Sequence, residues 1–246
     1  MKNIRWQIFL GVILIALSTV LYLIHYGIFR DANHIFIYMV GDIAFVPIEV
    51  FLVTVIIHRL LNEREKRSIR NKLNMVIGVF FGEVGTKLLT YLSDLDTKDE
   101  IVRQHLSKVK KWQEKDFKDL IKKFEDYKSD IVIKPEELKD LRDFLVSKRD
   151  FLLRLLENPN LLEHESFTDL LWAVFHLTEE LEARKDFKKI PKMDYKHIVV
   201  DTVRAYDALV YQWIAYMSHL RKSYPYIFSL AIRTNPFDLK ATPIVS

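Results

Sequence analysis

Two long apolar runs stand at the start of this chain, and the second carries two carboxylic acids. The first is Trp6–Tyr26, WQIFLGVILIALSTVLYLIHY. The second is His34–Ile57, HIFIYMVGDIAFVPIEVFLVTVII, with Asp42 and Glu49 inside it and Pro47 between them. A helix crossing the hydrocarbon core of a bilayer needs ~20 apolar residues, and each run is long enough. An acid in hydrocarbon costs ~2.5–3.5 kcal/mol on insertion scales. Short acidic side chains cannot reach the interface as Lys and Arg do. Asp42 and Glu49 are therefore expected to face protein, water or an ion. The expectation is a two-helix transmembrane hairpin over residues 1–57, with spans at 6–26 and 34–57.

A cleaved signal peptide is the rival reading of the first run, because Lys2 and Arg5 form a basic start. No small-x-small site follows, and bulky Tyr22, Leu23, Ile24 and Tyr26 occupy the place where cleavage would fall. The run reads as an uncleaved span, with Trp6, Tyr22, Tyr26 and Tyr38 suited to its interfaces. Charge sets the orientation. Lys2 and Arg5 precede the first span, and the connection Gly27–Asn33 holds one Arg and one Asp. After the second span come Arg59, Arg64, Lys66, Arg67, Arg70 and Lys72, against Glu63 and Glu65. The positive-inside rule then gives a multi-pass protein of the cell (inner) membrane with both termini cytoplasmic. Its expected partners begin with the lipid bilayer, Arg64, Lys66, Arg67, Arg70 and Lys72 meeting anionic head groups.

Residues 58–95 read as a basic juxtamembrane helix, since no Gly or Pro falls between Pro47 and Gly78. Leu73, Val76, Ile77, Phe80, Phe81, Val84, Leu88 and Leu92 form its apolar stripe at helical spacing. Two readings stand: a core helix with close contacts at Gly78, Gly82 and Gly85, or a helix lying on the inner leaflet. Residues 96–224 read as an antiparallel bundle of four helices, which makes the fold class all-α. Thr97-x-x-Glu100 resembles a capping box opening one helix that runs from Val102 to Phe124. Pro135 opens a second, with Leu138, Leu141, Leu145, Leu152 and Leu155 as its stripe. Asn158-Pro159-Asn160 marks a turn, Ser166-x-x-Asp169 opens the third helix, and Tyr195–Leu220 is the longest. In the tail, 225–246, Pro225, Pro236 and Pro243 argue against a long helix, and the apolar run Tyr226–Ile232 is expected to dock. Asn235-Pro236-Phe237 matches a peptide-recognition tripeptide, but reads first as a turn before an anchored Phe.

The strings GDIAFVPIEVFLVTVIIHRLLNEREKR (Gly41–Arg67) and LNMVIGVFFGEVG (Leu73–Gly85) resemble a group of uncharacterised two-span prokaryotic membrane proteins with a helical cytoplasmic domain. So do RDFLLRLLENPNLLEHESFTDLLWAVFHLTEEL (Arg149–Leu181) and YPYIFSLAIRTNPFD (Tyr224–Asp238). The resemblance covers most of the chain. It implies the architecture above and supplies no activity.

The intramembrane acids share one helix face. An i, i+7 spacing returns to within ~20° of the starting direction, ~10.5 Å further along the axis. Tyr38 lies one turn before Asp42 on roughly the same face. Pro47 removes an amide and leaves the carbonyl of Ile43 without its usual partner, a place for a kink or gate. His58 ends the span, as a gate or as a plain interfacial residue. The acids admit two main uses, with another ligand role as a third. They can hydrogen-bond across the hairpin, Asp42 near Ser18 and Thr19. Alternatively, in a ring of subunits, they can line a cation or proton pathway.

Elsewhere the chemistry is sparse. A net charge of +4 with no basic stripe does not suggest nucleic acid, and the absence of cysteine removes thiolate chemistry. His176 with Glu179 and Glu180, and Asp194-x-x-His197 with Asp201, read as surface pairs. There is no Glu-x-x-His, His-Glu-x-x-His, P-loop or Gly-x-Ser-x-Gly. No catalytic motif, cofactor or metal is therefore expected, with a membrane-bound metalloenzyme using His176 and Glu180 as a third reading. The leading expectation is a two-span homo-oligomer with a cation or proton pathway. The alternative is a non-conducting scaffold whose bundle recruits an unidentified protein partner.

Overall fold

The computed structural model describes residues 2–125, 127–159, 161 and 164–244; the side chains of 2–4, 67, 70, 71, 99, 101 and 110 fall outside that description, so Arg67 and Arg70 are followed as backbone alone. The chain is all-α. Among the described residues the nearest approach to a strand is one isolated antiparallel bridge, Asp96 to Ile131. The chain divides into two compact units, Met1–Glu65 and Lys66–Ser246.

The first unit is a helical hairpin. Helix α1 (Lys2–Phe29) and helix α2 (Ala32–Phe80) are joined by Arg30 and Asp31 alone. Arg30 takes the left-handed conformation, φ 53°, and its amide donates to the Tyr26 carbonyl. Asp31 then caps α2, its Oδ1 accepting from the amides of Asn33 at 2.9 Å and His34 at 3.2 Å. The chain reverses here. The His25 and His34 rings stand 5.7 Å apart, whereas nine residues of straight helix would separate them by ~13.5 Å. Every described side chain from 5 to 66 is exposed except Gly11, His25, His34 and Ile35. Three of those four flank the turn, so the hairpin has no core along its length.

The second unit does have a core. The tail of α2 buries Leu73, Ile77 and Phe80 at i, i+4 and i+7. A π-helical turn, Phe81–Gly85, then leads into α3 (Thr86–Ser93). The wider turn lets neighbouring Phe80 and Phe81 both face inward. Phe80 meets Phe167 edge-on at 5.5 Å, and Phe81 stacks on Tyr216 at 5.0 Å. By length and composition three stretches could cross a membrane: Arg5–Phe29, Ala32–Lys66 and Lys72–Ser93. The third is the stripe just described, and it lies in the core of its own unit.

Helices α4 (Asp99–Leu106) and α5 (Glu114–Glu125) replace the single helix expected after Thr97. Thr97 is not a cap; its hydroxyl and amide both go to Asp130. The break falls at Trp112, which is extended and buried edge-on against Phe117 at 5.0 Å. Asp116 restarts the helix by accepting from the Gln113 amide at 2.6 Å. The stripe after Pro135 is likewise divided, into α6 (Pro135–Ser147) and α7 (Arg149–Leu156), with Lys148 between them. Helix α8 (Glu165–Glu182) starts earlier than Ser166 suggests, because His164 caps it. A 3₁₀ turn, Phe187–Lys189, leads to α9 (Lys192–Ser223), longer at both ends than expected. The tail forms α10 (Pro225–Arg233), where Pro225 sits at the permitted first position. Helices α8 and α9 pack side by side at the centre, α6 and α7 lie on α8, and α3, α5 and α10 lie on α9.

Gly85 permits the close approach at the π turn: a Cβ there would sit 2.6 Å from Phe81 Cδ1 and 2.9 Å from Phe80 Cε1, whereas one at Gly82 would meet nothing within 4 Å. Gly85→Ala is expected to destabilise by ~1–3 kcal/mol through overpacking. Gly82→Ala should be neutral or stabilising by up to ~1 kcal/mol. Chemical unfolding of the two variants checks the contrast.

The His164 cap brings a pH dependence. Its Nδ1 accepts from the Phe167 amide at 3.4 Å, which requires an unprotonated nitrogen. Burial lowers the imidazole below its ordinary value of 6.5, its own backbone hydrogen bond offsetting part of this. A depressed folded value adds stability above pH 6.5 that is lost as pH falls through the folded value. Thermal melts from pH 7.5 to 5 should show this loss, and His164→Asn, which keeps an accepting cap, should lessen it.

Candidate functional site

On the hairpin, Tyr38, Asp42, Glu49 and Pro47 all lie on α2, and the three side chains expected to line a pathway are exposed. The Tyr38 ring meets His34 edge-on at 4.6 Å. Helix α2 continues across Pro47 and His58 without interruption. Among the described residues no hydrogen bond joins Asp42 or Glu49 to α1. Thr19, the expected partner of Asp42, donates to the Ile15 carbonyl of its own helix at 2.9 Å. Among the described residues the two acids thus have no hydrogen-bond or ion-pair partner. Arg64, Lys66 and Lys72 are exposed as well.

The tail tripeptide is a turn. Asn235 is buried, its Nδ2 donating to the Leu106 carbonyl at 2.9 Å and its Oδ1 accepting from the Phe237 amide at 3.0 Å. Phe237 is 1% exposed and edge-on to Trp213 at 5.0 Å. The segment is docked on its own bundle and offers no peptide for a partner to read.

A second polar constellation lies along the seam of α8 and α9. The helices run antiparallel, so residue numbers rising on one fall on the other. Ser166 donates to Gln212 at 3.2 Å. Further along, His176 meets Asp201 at 3.5 Å, Glu180 meets His197 at 3.6 Å, and Arg184 meets Asp194 at 2.5 Å. Arg184 is the clamp at one end. Its fork holds both Asp194 oxygens and also Glu180 Oε2 at 2.7 Å. Hydrogen bonding to Arg184 holds both carboxyls below the ordinary carboxylate range, and the same bonds, Asp194 first, raise the guanidinium.

Asp201 is the focus of this seam. Its side chain is 1% exposed, and Arg204 Nη1 holds Oδ1 at 2.7 Å. The other oxygen, Oδ2, lies 3.5 Å from His176 Nε2 and 3.3 Å from His197 Nε2. Neither contact has hydrogen-bond geometry, which leaves Oδ2 buried without a donor. The sequence showed two separate His–acid pairs and gave no reason to join them. A His-x-x-x-acid spacing on each of two successive helices was the signal available: His176 to Glu180 and His197 to Asp201. Antiparallel packing unites them.

The Arg184 clamp is expected to carry stability that exposed pairs do not. Arg184→Met should lower Tm by roughly 2–6 °C. Lys118→Ala, which removes a fully solvated 3.5 Å pair with Glu114, should shift it by less than about 1 °C. Calorimetry of the two variants makes the comparison.

Comparisons with known proteins agree with the two-unit layout. Residues 2–61 match the family described as "MJ1433, N-terminal helical domain", and residues 69–233 match "Uncharacterized protein MJ1433, C-terminal helical domain". The protein "Uncharacterized protein MJ1433" of Methanocaldococcus jannaschii is 43% identical over 241 residues, covering 98% of this chain and 97% of the relative. No solved structure matches. With both domains matched and the relative aligned almost end to end, the chain belongs to the MJ1433 family.

Proposed function

We propose that this chain is a membrane-anchored protein that self-associates through its hairpin, and that the Asp42 and Glu49 faces of several copies enclose a cation or proton pathway. One observation carries the reading. From 5 to 66 the described apolar side chains, Ile35 aside, are exposed, and two carboxylates without a partner among the described residues sit with them. Apolar surface on this scale calls for a hydrocarbon environment. The carboxylates call for the opposite: a buried acid needs water, an ion or a polar partner. A single hairpin satisfies the first demand in lipid and not the second. Copies packed around the acid-bearing face satisfy both, and stacked carboxylate rings favour cations. The flanking bases support a cytoplasmic position for the second unit, with Arg64, Lys66, Arg67, Arg70 and Lys72 near anionic head groups.

The test is flux. Full-length protein reconstituted in liposomes is expected to pass monovalent cations or protons as an oligomer, and Glu49→Gln is expected to reduce the rate at least ~10-fold, equivalent to ~1.4 kcal/mol in the barrier. Oligomeric wild-type protein that passes no ion at any voltage or pH sinks the pathway. Protein that stays monomeric in lipid sinks the assembly as well.

A further inference from the structure

We propose that His176, His197 and Asp201 form a binding site for a divalent first-row transition-metal ion, with Zn²⁺ as the reference case, at the solvent edge of the α8–α9 seam. The inference stands apart from the proposed pathway and does not depend on how the hairpin is solvated.

The donor atoms are already gathered. One oxygen of Asp201 and one ring nitrogen from each histidine lie within 4.8 Å of one another. The two nitrogen-to-Oδ2 separations are 3.5 and 3.3 Å. Tetrahedral Zn²⁺ with bonds of ~2.0–2.2 Å has donor–donor edges of ~3.3–3.6 Å, so the spacing suits a shared ion. It suits a direct contact less well. A simple His–Asp pair would aim an N–H at the carboxylate at ~2.7–2.9 Å. Here two rings converge on the same oxygen and neither makes that bond.

The surroundings supply what a ligand set needs. Arg204 holds Oδ1 at 2.7 Å and leaves Oδ2, buried and without a donor, aimed at the histidines. This is the support from behind that fixes a ligating carboxylate. Glu180 flanks the opening, its oxygens 3.9 Å from His176 Nε2 and 3.6 Å from His197 Nε2, with Arg184 fixing its direction. It is available as a fourth ligand. The carboxylates of Asp194, Glu180 and Asp201 outnumber the guanidiniums of Arg184 and Arg204, an imbalance that favours a cation. The histidine side chains are 45% and 51% exposed, which gives an ion a way in. Two imidazoles and a carboxylate are a donor set for Zn²⁺, Fe²⁺, Co²⁺ or Mn²⁺, whereas Ca²⁺ and Mg²⁺ prefer all-oxygen sites.

The experiment uses the full chain in detergent, stripped with a chelator and dialysed. Zn²⁺ is titrated by calorimetry, and Co²⁺ by visible absorption. The expected result is one equivalent per chain with a Kd of about 1 μM or below. His197→Ala and His176→Ala should each weaken binding roughly 10–100-fold or more and abolish the Co²⁺ ligand-field band. Both side chains are half exposed, so their removal spares the core. Zn²⁺ should also raise Tm in the wild type and not in the double variant, because an ion bound only to the folded chain stabilises it. Asp201→Asn should behave like the histidine variants if it folds, and the histidine results decide the matter if it does not. Wild-type binding no tighter than that of the double variant would overturn the site. Tight binding that both single variants leave unchanged would overturn it too, placing the ion elsewhere, for instance at His25 and His34.

Discussion

The antiparallel contact of α8 with α9 is the constraint on which the second unit is built. Its apolar side joins Phe167, Leu170, Val174 and Leu181 to Ile198, Tyr206, Leu209 and Trp213, all buried. Its polar edge carries the run from Ser166–Gln212 to Arg184–Asp194. The two sides fix each other. Apolar packing sets how far one helix can slide along the other, and the charged edge is satisfied at one register only. Shifting α9 by one turn, ~5.4 Å, would carry Asp194 away from the Arg184 fork and Asp201 away from His176 on α8. The remaining helices are arranged around this pair.

The two units deal with apolar side chains in opposite ways. In the second unit, Leu73, Ile77 and Phe80 on α2 are covered by the unit's own helices. Earlier on that same helix, residues of similar hydropathy are exposed. One continuous helix, Ala32–Phe80, therefore has an exposed apolar first part and a buried apolar stripe near its end. The change is marked in sequence by the charged stretch from His58 to Lys72. The turn between α1 and α2 is as short as a reversal allows, and its cost falls on Arg30. A non-glycine residue in the left-handed region gives up ~1 kcal/mol or so, offset in part by the Asp31 cap.

Much of this was legible in the sequence, and the rest failed for identifiable reasons. Helical periodicity located nearly every buried stripe, including Leu73–Leu92. It did not distinguish a helix from two helices in line. The breaks at Trp112 and Lys148 occur without Gly or Pro; at the first, burial of the Trp112 side chain against Phe117 outweighs local propensity. Cap chemistry misled at Thr97 and Ser166, whose hydroxyls go to Asp130 and Gln212, partners distant in sequence. Histidine as the α8 cap is not a residue that local rules bring forward. The i, i+7 face of Asp42 and Glu49 could be read directly, since it needs only helix geometry. The convergence of His176, His197 and Asp201 could not, because it depends on the α8–α9 register, which no local pattern encodes.

The anchored tail bears on the order in which this molecule is built during synthesis. Asn235 bonds to the Leu106 carbonyl across 129 residues, and Phe237 seals the same corner against Trp213. Contacts this remote along the chain form late, after the costs of closing the loop between them have been met. The hairpin precedes the bundle in the chain and needs nothing from it to complete its turn. The bundle, by contrast, waits for residues 235–237, far downstream of Leu106, before this corner can close. During that interval its apolar faces are incompletely shielded, the condition in which nascent chains are most exposed to aggregation and chaperone capture.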